Sequence, residues 1–256
     1  YSATTLYRMA TPVEQFRDII DVKPPQRTVL VRDSDDPAPL TRLLEGAFAG
    51  QPVDVETETT VDGKPQVLVV EEGDIVACSP LGALMDAFLL VNSDSYRTGM
   101  AGIDTQQAPE VLTALADTKF RMRGFPASNK EKLLLIVLSR YIEQTALDAD
   151  GGILRTSFQR LSRLNDERGT RAVYERLAES SVETHIYGMP TAGTLPDLNV
   201  HDGRTPVYRD SWFVIHTGTD SPAALLCLQR EENEWDGLWT FDADRVDAIE
   251  SVAATL

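Results

Sequence analysis

The middle of the chain carries an apolar helix with a clear start and a clear stop. Residues 128–131 read Ser-Asn-Lys-Glu, a capping box, and the helical pattern continues to about residue 149, before Asp150-Gly151-Gly152. Its apolar run at 133–138 is flanked by charges and is shorter than the roughly 18 residues that span a bilayer. We therefore expect a core helix, with a homodimer seam as the alternative, and no membrane span.

The segments before this helix predict an N-terminal unit of the βα type with a mixed sheet. Strands at 27–32 and 53–59 enclose a helix at 40–48, which suits a parallel pair with a crossover helix. The remaining predicted elements are strands at 66–70, 75–78 and 120–123 and helices at 12–20, 81–92 and 109–116.

The second half predicts a mixed sheet that contains an antiparallel meander, and Asp242 predicts the cap of a final helix. The predicted elements are strands at 153–158 and 182–188, a helical stretch at 159–180 broken near 168–169, and meander strands at 212–217, 223–230 and 237–241. The Gly-Phe-Pro turn at 124–126 predicts domains at 12–125 and 128–256. The expected fold class is thus α/β of the α+β kind.

The charge of the chain is strongly acidic, with 40 Asp and Glu against 24 Lys and Arg and a net charge of −16. Only five of the basic residues are lysine. This pattern resembles proteins of salt-loving archaea, and a plain acidic protein is the alternative. Such a surface repels phosphate, so general nucleic-acid binding is not expected.

The basic residues concentrate at 119–176, where 12 Lys and Arg accompany seven Asp and Glu. This segment could form a docking face for an anionic ligand or an acidic partner, or the DNA contact of a transcription-associated regulator. Helix surfaces of mixed charge are the commoner meaning of such a run. The two cysteines, Cys78 and Cys227, lie far apart and are expected to be buried free thiols in a reducing cytoplasm.

Motifs of known chemistry are missing from the sequence. It has no glycine-rich nucleotide loop, no nucleophile elbow, no zinc-binding HExxH and no CxxC. We therefore predict no catalytic residue, no metal site and no identifiable cofactor. The alternative is an unrecognised enzyme that uses Asp210, His185 or His216.

The aromatic residues of the last third suggest a ligand pocket, although core packing is the usual role of such residues. Trp212 and Trp239 could line one pocket, with Asp210 and Asp242 at strand ends. The predicted ligand-binding residues are Phe158, Gln159, Arg155, His185, Asp210, Trp212 and Trp239.

Residues 128–256 resemble the DICT domain, a sensory module of cyanobacterial and haloarchaeal signalling proteins. The resemblance rests on the stretches at 139–143 (SRYIE), 156–164 (TSFQRLSRL), 173–178 (VYERLA), 182–188 (VETHIYG), 209–215 (RDSWFVI) and 237–242 (GLWTFD). Residues 12–125 also resemble the leading region of haloarchaeal members. The resemblance implies a role in signal transduction, and it supplies no established ligand and no catalytic residues. Together with the missing catalytic motifs, it leads us to expect a cytoplasmic sensory or regulatory module that binds a small-molecule ligand or a signalling partner protein.

Overall fold

The computed structural model of the protein describes residues 10–21, 23, 25–33, 42, 45, 46, 48, 50–59, 63–84, 109–123, 131–166 and 168–256. The predicted helices at 40–48 and 81–92 lie largely outside these residues, and the start of the predicted capping box lies there as well. The sheets, helices and contacts of the fold are those of these residues. None of their helices is long and apolar enough to cross a membrane.

A four-stranded mixed sheet forms the first half of the chain. Its strands are β1 (Arg27–Asp33), β2 (Asp54–Thr59), β3 (Gln66–Glu71) and β4 (Asp74–Pro80), in the spatial order β2-β1-β3-β4. The β1–β2 pair is parallel, whereas β1–β3 and β3–β4 are antiparallel. The predicted parallel first pair is therefore confirmed.

A seven-stranded mixed sheet forms the second half, in the order β5-β11-β10-β9-β6-β7-β8. Strands β9, β10 and β11 pair antiparallel, which confirms the meander. The strands are β5 (Phe120–Arg123), β6 (Ile153–Arg160), β7 (Glu183–Met189), β8 (Asn199–Asp202), β9 (Ser211–Thr217), β10 (Ala223–Glu231) and β11 (Glu234–Thr240). The α+β class is likewise confirmed.

The helices cover both faces of the larger sheet. They are α1 (Pro12–Ile20), α2 (Glu110–Ala114), α3 (Glu131–Ala149), α4 (Arg163–Asp166), α5 (Arg168–Ala178), α6 (Pro206–Asp210) and α7 (Ala243–Ala253). Side chains of a strand alternate between faces, so Leu154 and Val214 pack in the core that contains residues of α3 and α5. Phe213 and Ile215 pack with residues of α1 and α7 instead.

Two elements from before the predicted domain boundary lie on the seven-stranded sheet. Helix α1 starts with a capping box between Thr11 and Glu14 and buries Phe16 against Phe213, with ring centroids 5.8 Å apart. Strand β5 pairs antiparallel with β11. The two sheets also share one hydrophobic core, which includes Val29 of β1 and Trp239 of β11. The boundary at 124–126 stays a prediction.

The connection after β6 differs from the expected helix at 159–180. Strand β6 continues to Arg160, which pairs with Met189 across a register shift, and Gln159 has a positive φ of 60°. Helices occupy 163–166 and 168–178 only. Strand β8 and helix α6 were not predicted. In β8, the short segment at 199–202 is extended through its pairing with β7 and not through an apolar pattern of its own.

The cysteines are free, and only Cys227 is fully buried, whereas Cys78 is half-buried. Burial raises the pKa of the Cys227 thiol, so the thiol stays protonated and unreactive. In the described part of the chain, no group of three or more His, Cys, Asp or Glu side chains could hold a metal ion.

Candidate ligand cleft

A cleft of about 110 Å³ opens between α3, β6 and the beginning of α5. Helix α3 contributes one edge through Ser139, Arg140 and Glu143, and β6 contributes the other through Thr156 and Phe158. The remaining lining residues are Ile136, Ser157, Arg163, Thr170 and Trp212. A helix and a strand that belong to one core therefore hold polar and aromatic groups around an open space.

An ion pair lies at the floor of the cleft. Arg140 donates from Nη1 to Glu143 Oε2 over 2.7 Å and from Nη2 to Thr170 Oγ1 over 2.6 Å. The Glu143 side chain is only 3% exposed. A carboxylate this deeply buried requires a charged partner and further hydrogen bonds, because desolvation of an isolated charge is very costly.

Tyr174 supplies the second partner of Glu143. Its hydroxyl lies 2.9 Å from Glu143 Oε1 and 2.8 Å from Thr156 Oγ1. A carboxylate only accepts hydrogen bonds, so Tyr174 donates to Glu143 and accepts from the Thr156 hydroxyl. Desolvation, together with the nearby Glu143 charge, raises the pKa of Tyr174 well above its ordinary value. The phenol is therefore a fixed hydrogen-bond donor.

Aromatic rings form the apolar walls of the cleft. Phe158 packs edge-to-face on Tyr174, with ring centroids 4.9 Å apart. Trp212 of β9 is half-buried and packs against the same core. Because one ring is fixed by Tyr174 and the other is partly exposed, the walls can contact a ligand without rearrangement of the core.

A second polar cluster lies on the opposite face of the sheet. Arg155 donates from Nε to Glu250 Oε1 over 2.9 Å and from Nη1 to the Tyr187 hydroxyl over 2.7 Å. His201 stacks on Tyr187, with ring centroids 4.5 Å apart, and its Nε2 lies 2.9 Å from His185 Nδ1. This cluster joins β6, β7 and β8 to α7.

The predicted ligand-binding residues do not lie together in one site. Phe158 and Trp212 line the cleft, and Gln159 follows Phe158. Arg155 and His185 belong to the opposite cluster. Asp210 pairs with Arg209 at the end of α6. Trp239 is fully buried, donates to the Leu112 carbonyl oxygen over 2.8 Å and stacks on Phe120.

The polar residues of the cleft were missed by the sequence analysis. Glu143 follows Ser139 by four positions and Arg140 by three on the most apolar helix, and that spacing was a usable signal. The contribution of Tyr174 had no comparable signal, because its hydrogen bonds join three separate elements.

Most of the described cations of the basic segment 119–176 are paired with acids. Lys119 bonds Asp21 and Asp236, and Arg171 bonds Glu175. Arg140 and Arg155 bond the carboxylates described above. The charge pattern therefore forms ion pairs along the described surface, as the mixed-charge interpretation predicted, and offers little open positive surface to DNA.

Comparison with known proteins finds a family match for part of the chain. Residues 109–230, just under half of it, match the model of the DICT family, described as the sensory domain in diguanylate cyclases and two-component systems. The match confirms the resemblance predicted for residues 128–256 over residues 128–230, and it supports a sensory signalling role for the matched segment. No curated protein matches the sequence.

One similar solved structure is a polyphosphate kinase from Porphyromonas gingivalis, with 8% identity and a TM-score of 0.34. The similarity covers 94% of this chain but only 47% of the kinase, and it carries no argument about function. The family match is more informative about the cleft, because every described residue that lines the cleft falls within the matched segment. Residues 109–230 therefore have the sequence pattern of a DICT sensory domain, and this segment contains the cleft.

Proposed function

We propose that the protein is a cytoplasmic sensory or regulatory module that binds a small ligand in the cleft and transmits its presence to a signalling partner. The observation that carries the proposal is the position of an open, polar and aromatic cleft inside the segment that matches a sensory-domain family. A ligand that binds one conformation better than another shifts the population of the module, and catalysis is not required.

The chemistry of the floor supports binding over catalysis. Each oxygen of Glu143 already accepts a hydrogen bond, one from Tyr174 and one from Arg140. The raised pKa of Tyr174 keeps its proton in place at neutral pH. A general base must be able to accept a proton at working pH, and a nucleophile must be activated by such a base. This arrangement orients groups instead of activating them.

Strand β6 offers a route from the cleft to the other face of the sheet. Its Thr156 and Phe158 border the cleft, whereas Arg155, the strand position before Thr156, bonds Glu250 of α7 and Tyr187 of β7. A shift of β6 on ligand binding would change both faces together, because packed cores deform in discrete steps. The α7 side is then the surface on which a partner would detect the change.

The test is native mass spectrometry of the protein purified from its own host. We expect a retained small molecule on the wild type, its loss from an Arg163→Glu variant that alters the cleft, and its retention by Arg204→Glu, a matched exposed arginine outside the cleft. The same spectrum reports stoichiometry and so tests the predicted homodimer. Retention of the molecule by both variants, or turnover of a substrate at an ordinary enzymatic rate, would refute the proposal.

A further inference from the structure

We infer that the cleft takes a small organic anion with a flat apolar body, such as an aryl carboxylate. This inference rests on the proposed ligand-binding function and specifies the chemical class of the ligand. It follows from three properties of the lining residues: unpaired hydrogen-bond donors, the net charge of the lining and the size of the space.

The first property is a hydroxyl that reaches the cleft and has no partner among the described residues. Ser139 lines the cleft and is only 8% exposed, and its hydroxyl makes no hydrogen bond to any described residue. The Ser139 oxygen is not one of the buried side-chain atoms that lack a partner, so it is accessible from the cleft. This accessible hydroxyl can therefore donate to or accept from a group that enters the cleft.

The second property is an excess positive charge. Arg140 and Glu143 neutralise each other through a direct ion pair. Arg163 also lines the cleft, and its side chain forms no ion pair or hydrogen bond within the described part of the chain. Among the described lining residues, cations therefore outnumber anions by one, although the whole protein has a net charge of −16. A monoanion complements it, and carboxylates form charge-assisted hydrogen bonds with arginine.

The third property is size. The cleft has a volume of about 110 Å³ and is open to solvent. Drug-sized ligands fill pockets of roughly 300–1,000 Å³, so this space accommodates only part of a ligand of that size. The head group of a small ligand fits, and its ring can lie against Phe158 and the partly exposed Trp212.

The test uses benzoate as the anionic probe, with benzamide as its neutral analogue and benzylamine as its cationic analogue. Binding is measured by isothermal titration calorimetry in one buffer in which every variant is folded by circular dichroism. We expect benzoate to bind at least about tenfold more tightly than benzamide, because loss of a charge-assisted bond has an effect of this order. Benzylamine should show no binding.

The variants assign the probe to the cleft. Arg163→Gln should weaken benzoate about tenfold or more and Ser139→Ala several-fold, whereas the matched control Arg204→Gln should stay within about twofold. Ser139→Ala should also keep the unfolding midpoint of the wild type, because the hydroxyl has no partner to lose. A destabilised Ser139→Ala protein would assign a structural role to Ser139 and contradict the inference.

The remaining outcomes separate the ligand class from the proposed function. If benzamide or benzylamine binds as well as benzoate and Arg163→Gln has no effect, the anion class is wrong while the cleft remains a binding site. If no probe binds, the anion class is overturned as well, and retention of a host molecule in the mass spectrum then decides whether the sensory function stands. An equal effect of Arg204→Gln and Arg163→Gln would also overturn the inference, because it would indicate nonspecific charge attraction.

Discussion

The Nδ1 atom of His185 lies 2.9 Å from the Nε2 atom of His201, and Glu183 fixes the protonation pattern of this pair. Glu183 Oε1 lies 2.9 Å from His185 Nε2 and can only accept a hydrogen bond. His185 therefore carries its proton on Nε2 and accepts at Nδ1, so His201 donates from Nε2. A proton added to His201 would place a positive charge close to Arg155, which disfavours it in the folded protein.

This geometry predicts that the folded protein loses stability on mild acidification. Burial lowers the pKa of His201, and the nearby His185 and Arg155 lower it further. Burial also lowers the pKa of His216. The unfolded chain then binds more protons than the folded one, so stability is complete above the ordinary histidine pKa of about 6.5 and decreases as pH falls below it. Each histidine contributes at most about 1.4 kcal/mol per pH unit.

Urea unfolding at pH 7.5 and 5.5 measures this effect. The wild-type midpoint should be lower at pH 5.5, and His201→Gln, which can still donate to His185 Nδ1, should reduce the difference. Glu183→Gln is the companion variant, because it removes the acceptor that fixes the tautomer while it leaves both imidazoles in place. A midpoint that rises on acidification, or an unchanged pH difference in His201→Gln, would contradict the assignment.

The sequence predicted the fold of this protein better than its polar site. Periodicity identified the meander and the first parallel pair, because their side chains alternate or form the short apolar runs that are typical of strands. Periodicity wrongly placed Gln159 at the start of a helix. The structure places it in β6, because its positive φ and the register shift before Arg160 follow from pairing with β7. The hydrogen bonds of Tyr174 to Glu143 and Thr156 depend on three elements meeting, which no local pattern encodes.

The buried hydroxyl of Tyr174 provides a second prediction. Tyr174→Phe removes one of the two described hydrogen-bond donors to the Glu143 carboxylate. An unsatisfied buried polar group costs about 1–3 kcal/mol, and more when it is charged. We therefore expect the free energy of unfolding at pH 7 to fall by at least about 1 kcal/mol. Urea denaturation measures this change, and the m-value should stay unchanged.

Tyr141 is the matched control for this substitution. It lies on the same helix as Glu143 and is half-buried against Phe241, and its hydroxyl forms no hydrogen bond with a described residue. Tyr141→Phe should therefore change the free energy of unfolding by less than about 0.5 kcal/mol, the usual range for substitutions away from special contacts. Equal effects of the two substitutions would show that the Tyr174 hydroxyl does not support Glu143.

The two tryptophans that were predicted to share a pocket should respond differently to replacement. Trp239 is fully buried and bonds the Leu112 carbonyl oxygen, so Trp239→Phe leaves a cavity and an unpaired carbonyl. We expect a loss of about 1–3 kcal/mol in stability with benzoate affinity retained. Trp212→Phe should cost less than about 1 kcal/mol but weaken benzoate, because Trp212 lines the cleft. The reverse pattern would indicate that the ligand binds at Trp239 in the core and not in the cleft.

The acidic surface predicts that salt stabilises the fold. A net charge of −16 places carboxylates close together, and their repulsion is screened as the Debye length falls from about 10 Å at 0.1 M salt to about 3 Å at 1 M. The urea midpoint should therefore rise between 0.1 and 1 M KCl. A further rise between 1 and 3 M, where screening is already nearly complete, would support the predicted adaptation to concentrated salt.

A charge reversal separates screening from general salt effects. Glu232 is exposed in the turn between β10 and β11, beside Glu231 and Glu234. Glu232→Lys changes the net charge from −16 to −14 and should raise the urea midpoint at 0.1 M KCl while it reduces the gain at 1 M. Glu232→Gln should give about half of each change, because it removes one negative charge without adding a positive one. Identical salt responses in all three proteins would show that carboxylate repulsion at this turn does not limit stability, since only that repulsion differs among them.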